Sequence, residues 1–351
     1  MADERNKVLE RALMDIERKF GKGAIMRLGE APRLEVEVIP TGILPLDIAL
    51  GVGGLPRGRI VEVFGEEGSG KTTVALHAIA SAQKAGGNAV FIDAEHALDP
   101  RYAESLGVDI KNLLISQPDY GEQALDIAAY LIQSAAVDIV VIDSVAALLP
   151  RSELDGSIGD QQVGLQARLM SQAMRKLAGL VARSKAVVIF INQLREKVAA
   201  GGFQAGPLVT TPGGRALKFY ASVRIEARQG ERLKSGTSIF GHELILRVVK
   251  NKVAPPFRTC KVDMIYGQGV SIEGAIIDMA LEAGIIEKRG TWFVWGEERL
   301  GQGKENTRTY LKENPQVLEA LSKALQEKLG VLASTKTFQV EGEEGGGEGL
   351  S

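Results

Sequence analysis

Eight consecutive residues constrain this chain more than any others: Gly65, Glu66, Glu67, Gly68, Ser69, Gly70, Lys71 and Thr72. They spell G-x-x-x-x-G-K-[ST], the loop that holds the phosphates of a nucleoside triphosphate. Its glycines let the backbone curl until N–H groups converge on the β-phosphate, and Lys71 reaches the β/γ oxygens. Thr72 offers a hydroxyl to Mg²⁺, and the helix that starts there points its positive end at the anion. The flanks suit the motif. Arg59–Phe64 has the β-branched character of a strand, and Thr73–Ala80 reads as a helix with Val74, Leu76, Ala78, Ile79 and Ala80 inward.

Beyond the loop the chain alternates. Ala89–Asp93, Asn112–Ser116, Asp138–Asp143 and Ala186–Gln193 read as buried apolar strands, with helices over Glu122–Ala135 and about Gln161–Ser184 between them. Continuous apolar strands separated by helices predict an α/β fold whose parallel sheet is covered on both faces. Ligands of such sheets lie beyond the carboxyl ends of the strands. Those ends carry Asp143, placed to hold Mg²⁺; Glu95, placed to orient a water against the γ-phosphate; and Gln193, placed to sense that phosphate. Alone, each would pass for a solvated loop residue or a helix cap. At three strand ends beside a phosphate loop they read as a set.

Ahead of this core, Leu9, Leu13, Ile16 and Phe20 predict an amphipathic helix over residues 3–20, and Leu34–Val38 alternates like a half-exposed strand. These elements either pack on the core or form an arm that docks on another subunit. With 45% hydrophobic and 25% charged residues, no membrane-length apolar run and a polar Met1–Arg5 opening, the chain reads as a soluble cytoplasmic protein without a membrane partner. The single cysteine, Cys260, excludes an intrachain disulfide, and the scattered histidines His77, His96 and His242 argue against a metal cluster. A net charge of −2 does not argue for nucleic acid. Local features could: the glycine-rich segment 195–215, the Gly156–Asp160 interruption, and Arg168 and Arg175 two turns apart on one helix face suit a phosphodiester backbone. An active-site lid with solvated arginines fits that spacing equally well.

Longer stretches carry a resemblance. Phe20–Gly23, Met26–Glu30, Phe91–Pro100, Ser171–Ala178, Ala216–Arg224 and Val248–Phe257 resemble the RecA family of P-loop strand-exchange ATPases of bacteria, and the likeness runs to about residue 330. It implies a RecA-type P-loop ATPase core with a mainly parallel twisted sheet between helices, an N-terminal helix-strand arm and a small α+β C-terminal domain. The corresponding ranges are 1–33 for the oligomerisation arm, 34–270 for the core, 271–331 for a duplex-DNA-binding domain and 332–351 for a glycine- and glutamate-rich tail. That tail either competes with DNA for basic surface or serves solubility.

The resemblance also implies roles. Glu95 activates the hydrolytic water, Gln193 senses the γ-phosphate, and Lys250 and Lys252 reach that phosphate from a neighbouring protomer. ATP and Mg²⁺ are the expected ligands, with Gly65–Thr72, Thr73, Asp99, Tyr102 and Tyr266 around the nucleotide and Thr72 and Asp143 on the metal. Val163, Arg168, Ser171, Arg175, Arg195, Lys197, Val198, Thr210, Gly213, Gly214 and Arg215 match positions touching single-stranded DNA. Val36, Val38 and Phe219 match the protomer interface of a helical filament. Implied partners are single- and double-stranded DNA, further copies of the chain, and a LexA-type repressor whose self-cleavage the filament promotes. Two departures stand out: Glu66 and Gly68 replace the family's usual Pro and Ser, and segment 199–209 lacks its usual Met-x-Phe-Gly-Asn-Pro-Glu run. A regulatory ATP-binding module and a hexameric helicase or RadA-type relative are the alternatives. The latter is disfavoured by the missing four-cysteine motif and by the lack of an appended protease-like domain.

Overall fold

A computed structural model of the chain describes residues 2–21, 24–25, 36–156, 164–197 and 208–329. The chain divides into two units between Val36 and Glu37. The first holds one helix, α1 (Ala2–Phe20), the amphipathic helix expected from its spacing.

In the second unit a short ribbon, β1 (Val38–Ile39) with β2 (Leu55–Pro56), flanks α2 (Leu44–Leu50). Then come β3 (Ile60–Gly65), α3 (Lys71–Lys84), β4 (Ala89–Asp93), α4 (Pro100–Ser105), β5 (Leu114–Ser116), α5 (Gly121–Gln133), β6 (Ile139–Asp143), α6 (Arg151–Leu154), α7 (Leu165–Ser184) and β7 (Val187–Gln193). A small hairpin of β8 (Arg195–Lys197) and β9 (Leu208–Thr210) leads to α8 (Ala216–Tyr220). After it run β10 (Val223–Ser235), β11 (Ser238–Asn251), β12 (Thr259–Ile265) and β13 (Gly269–Val270). The C-terminal part holds α9 (Ile272–Glu282), the meander β14 (Glu287–Arg289), β15 (Trp292–Trp295) and β16 (Glu298–Gln302), then α10 (Gly303–Glu313) and α11 (Pro315–Lys328).

Nine strands form the main sheet in the order β13-β12-β11-β10-β3-β7-β6-β4-β5. From β10 to β5 all pairings are parallel, and β11 to β13 continue the sheet antiparallel. The central strands are apolar throughout because successive residues serve opposite layers. Val61, Val63, Ile139 and Val141 join the core under α3, while Ile60, Val140 and Ile142 join the core under α5 and α7. Leu311, Leu321 and Leu325 pack with Ile276, Ile277 and Phe293 in a separate C-terminal core.

Three expectations change. The Asn112–Ser116 stretch is strand only over Leu114–Ser116 and is the sheet edge, leaving Leu114 51% and Ile115 54% exposed. Of the described residues in the strand expected over Leu34–Val38, only Val38 is strand, continuing through Ile39 in a buried ribbon, and Val36 and Glu37 are both half-buried instead of alternating. The segment 223–265, read only through resemblance, is a long antiparallel extension whose signal was present: Val223, Ile225 and Ala227 are buried in the core under α3, and Arg224, Glu226 and Arg228 take the alternate positions. Leu34, Glu35, the segment 157–163, Val163, Val198 and the tail from 332 lie outside the described residues.

Candidate nucleotide site and DNA-facing segments

The phosphate loop joins β3 to α3, as its sequence requires. Gly65 cannot carry a side chain, because a Cβ there would lie 2.1 Å from the Ala227 carbonyl oxygen of β10. Gly70 caps α3 at φ 86°, the left-handed region that favours glycine. The Ser69 hydroxyl is buried with no hydrogen-bond partner among the described residues. Lys71 is 8% exposed, and its Nζ donates to the Glu66 carbonyl at 2.6 Å. Burial lowers the Lys71 pKa from the ordinary lysine value, and the carboxylates of Asp143, Glu95, Glu67 and Glu66 oppose that shift.

Sheet order brings the three strand-end residues together. β6 lies between β4 and β7, one strand from β3, so Asp143, Glu95 and Gln193 all end near the loop. The Thr72 hydroxyl donates to Asp143 Oδ2 at 2.7 Å across a sequence separation of 71 residues. Burial pushes the Asp143 carboxyl up to about 6, with the Thr72 hydrogen bond pulling against it and Glu95 adding to it. Gln193 Nε2 donates to Glu95 Oε1 at 2.9 Å, and the Ser144 hydroxyl donates to the same oxygen. Glu95 is exposed, within reach of water, while its second oxygen accepts no hydrogen bond from the described residues. Ser144 escaped the sequence reading; it follows Asp143 directly, and only the approach of β4 gives it meaning.

A cleft of ≈ 330 Å³ opens beside the loop, lined by Lys71, Thr72, Thr73, Tyr102, Met264 and Tyr266 among others. Thr73 Oγ1 and the Tyr102 hydroxyl share a hydrogen bond of 2.8 Å, fixing the ring at the cleft wall. Tyr266 is 54% exposed and stands 5.6 Å from the buried ring of His242. These two tyrosines therefore line one cleft although 164 positions separate them in the chain. Asp99 lies apart from that lining: its carboxylate caps α4, accepting from the Arg101 N–H at 2.9 Å.

Lys250, on β11, is not in this cleft. Its Nζ donates to the carbonyls of Lys218 at 2.6 Å and Phe219 at 3.1 Å. Burial lowers its pKa, and neighbouring Lys252 and Arg224 push the same way, with Glu62 opposing. Lys252 is exposed beside it, and Phe219 is 69% exposed at the end of α8. Val38 is buried within its own chain, and Val36 is half-buried.

On the side of the predicted DNA segments, Arg168 and Arg175 are both exposed on α7, and Arg175 Nε donates to the Ser171 carbonyl at 3.1 Å. The Ser171 hydroxyl is turned back on its helix, donating to the Ala167 carbonyl. Arg195 pairs with Thr210 and Lys197 with Leu208 across the β8–β9 hairpin. Arg215 is exposed at the start of α8. Of the two glycines matched to single-strand contacts, Gly213 already uses its N–H, which donates to Gln166 Oε1 at 3.3 Å. Both glycines have positive φ and press on neighbours: a Cβ on Gly213 would meet Val145 at 2.8 Å, and one on Gly214 would meet Ala167 at 2.8 Å. No helix among the described residues is long and apolar enough to cross a membrane.

Comparison with known proteins completes the site. The RecA N-terminal domain family matches residues 7–271, and the RecA C-terminal domain family matches residues 274–330. Protein RecA of Enterococcus gallinarum is 57% identical over 341 residues, covering 97% of each chain. Protein RecA of Streptomyces avermitilis is 60% identical over 328 residues, 93% of this chain and 86% of the relative. That of Caldanaerobacter subterraneus subsp. tengcongensis is 58% identical over 331 residues, 94% and 96% of the two chains.

Proposed function

Because this chain belongs to the RecA family of recombination and repair proteins, we propose that it is a DNA-dependent ATP hydrolase. In this reading it assembles as a helical filament on single-stranded DNA, pairs that strand with a homologous duplex and drives strand exchange. The observation that carries the catalytic part is the convergence beside the phosphate loop at the carboxyl ends of the central strands: Thr72 on Asp143 at 2.7 Å, and Gln193 on Glu95 at 2.9 Å.

The residues divide the work by chemistry. The Ser69 hydroxyl, without a partner among the described residues, and the N–H groups of a glycine loop that opens a helix suit phosphate oxygens. Lys71 exchanges the Glu66 carbonyl for the β/γ oxygens of ATP. Thr72 and Asp143 are hard oxygen donors, the one-hydroxyl, one-carboxylate set that Mg²⁺ takes together with phosphate oxygens and water. Held by Thr72 and Asp143, Mg²⁺ would supply neutralisation of the charge that develops on the phosphate oxygens. Glu95 keeps one oxygen for the attacking water and accepts its proton, and the Gln193 amide holds the carboxylate in that orientation. Tyr102 and Tyr266 flank the base.

Lys250 and Lys252 complete the reaction from a neighbouring copy. They sit among cations, away from the carboxylates of their own phosphate loop, which suits an anion brought by another chain. Arg168, Arg175, Arg195, Lys197, Val163, Val198, Thr210, Gly213, Gly214 and Arg215 are assigned to the single strand, residues 271–331 to the duplex, and Val36, Val38 and Phe219 to the filament contact. Family membership alone supports a further role in promoting self-cleavage of a LexA-type repressor. The central test is phosphate release from ATP and Mg²⁺ with and without single-stranded DNA, with negative-stain imaging of the same samples. Stimulated release and filaments are expected; a protein that releases no phosphate under either condition is not the proposed enzyme.

A further inference from the structure

Glu62 lies in the middle of β3, at the centre of the main sheet, and is 0% exposed. A carboxylate in such a place must be paired or lose its charge. It is paired twice: Oε1 accepts from Asn192 Nδ2 at 3.0 Å, and Oε2 accepts from Arg224 Nε. The Arg224 guanidinium also lies 4.4 Å from the centre of the Phe64 ring. All four residues come from adjacent strands, β7, β3 and β10, on the sheet face shared with α8.

As packing, this arrangement is an odd choice, since well-packed apolar residues often replace a buried ion pair without loss of stability. What it does offer is connection. Asn192 is 0% exposed and makes three bonds: to Glu62, to the Pro212 carbonyl at 3.3 Å, and from the Gln193 N–H at 3.0 Å. Pro212 follows β9 and precedes Gly213, so it anchors the return limb of the β8–β9 hairpin. Gln193 in turn holds Glu95. On the other side, Arg224 on β10 stands opposite Lys250 on β11 in the strand register, and Lys250 is tied to the carbonyls of Lys218 and Phe219. One buried carboxylate is therefore linked, through Asn192 and Arg224, to three regions: the water-activating pair, the base of the predicted DNA hairpin and the cationic ridge.

We propose that Glu62 is a positioning residue that, through Asn192 and Arg224, couples the β8–β9 hairpin and the Lys250 ridge to the Gln193–Glu95 pair. DNA held by the hairpin shifts the Pro212 carbonyl and hence the Asn192 side chain. Because Asn192 is shared, that shift reorients Gln193 and the Glu95 carboxylate. The inference rests on the reading of the chain as a DNA-dependent ATPase.

The test is ATP turnover by the full-length protein with and without poly(dT), together with binding of a non-hydrolysable ATP analogue and a melting curve. Glu62→Gln removes the charge that orders Arg224 while keeping an acceptor for Asn192. It is expected to lower the ratio of DNA-stimulated to unstimulated turnover by about 5- to 150-fold, the usual span of coupling between two sites. Affinity for the analogue without DNA is expected to stay within about twofold, since no phosphate contact is removed. Asn192→Ala should lower the ratio likewise, and the double variant should lose no more than the worse single variant, because both act in one chain of contacts. If Glu62→Gln fails to fold, Glu62→Gln with Arg224→Gln leaves no unpaired buried charge and is expected to show the same loss of ratio. A folded variant with a lower melting temperature and the wild-type ratio overturns the proposal, as do losses that simply add. Wild-type protein that DNA does not stimulate overturns the ATPase reading itself, which separates the two failures.

Discussion

Two lysines in this molecule are held alike and surrounded oppositely. Lys71 and Lys250 each donate to a backbone carbonyl at 2.6 Å, and burial lowers the pKa of both. Lys71 has four carboxylates acting on it, whereas Lys250 has Lys252, Arg224 and the single carboxylate of Glu62. An ammonium among carboxylates is already compensated, and it takes a phosphate most readily when Mg²⁺ comes with it to offset the added negative charge. An ammonium with two cations and one carboxylate acting on it, that carboxylate already bonded to Arg224, is under-compensated, and what would best relieve it is a phosphate presented from outside. The same side chain thus suits a site completed within the chain in one place and a site completed by a neighbour in the other.

The largest effect that would break this comparison is expected at a group only the Lys71 side possesses. Glu95→Gln keeps ATP binding and slows single-turnover hydrolysis by about 10²- to 10⁴-fold, the range for loss of a general base. Equal single-turnover rates in the two proteins would remove Glu95 from its role. Next come the lysines themselves. Lys71→Ala is expected to weaken ATP binding about 10²-fold or more in dilute protein, from loss of charge-assisted bonds worth about 1.5–3 kcal/mol each. Lys250→Ala and Lys252→Ala should bind ATP normally when dilute and lose DNA-stimulated turnover. Mixing either with Lys71→Ala protein should restore part of it, and absence of rescue at every mixing ratio would assign Lys250 to its own chain's site.

Arg168 tests a cation outside both environments. It is exposed, so a phosphate contact would be exchanged with salt: Arg168→Ala should reduce the salt slope of single-strand binding by roughly 0.7, with no change in ATP affinity. Titrations at several salt concentrations decide, and an unaltered slope leaves Arg168 a surface residue. The smallest effect sharpens the comparison from the carboxylate side. Asp47 is buried and forms no ion pair among the described residues; it accepts from the Thr41 N–H and hydroxyl at 2.8 Å each, and burial raises its pKa to about 7. Between its unfolded value of 3.8 and about 7 the folded chain holds an extra proton, so this residue's contribution to stability falls as pH rises through that window. Asp47→Asn should therefore gain stability relative to wild type between pH ~5 and pH ~8. Parallel denaturation curves at both pH values would show that Asp47 is not the titrating group.

The sequence by itself determined the phosphate loop, its strand and helix, and the alternation that makes a parallel sheet, since each is written within a few consecutive residues. Asp143, Glu95 and Gln193 could be singled out because a polar residue closing an apolar strand is visible locally. Glu62 and Asn192 stand in equally apolar strands, Ile60–Gly65 and Val187–Gln193, but inside them, where nothing nearby in the chain says what they meet. The resemblance supplied the proposed trans lysines and the proposed DNA residues by position; it carried no geometry, and so the occupied Gly213 N–H could not be foreseen. What only the tertiary structure decided is strand order. The sheet runs β10-β3-β7-β6-β4-β5, out of step with the chain, and that order sets Thr72 on Asp143 across 71 residues and Asn192 on Glu62 across 130. Hydrophobic period records which face of a strand is buried. It holds no record of which strand lies next, because any apolar strand can pair with any other through the same backbone hydrogen bonds.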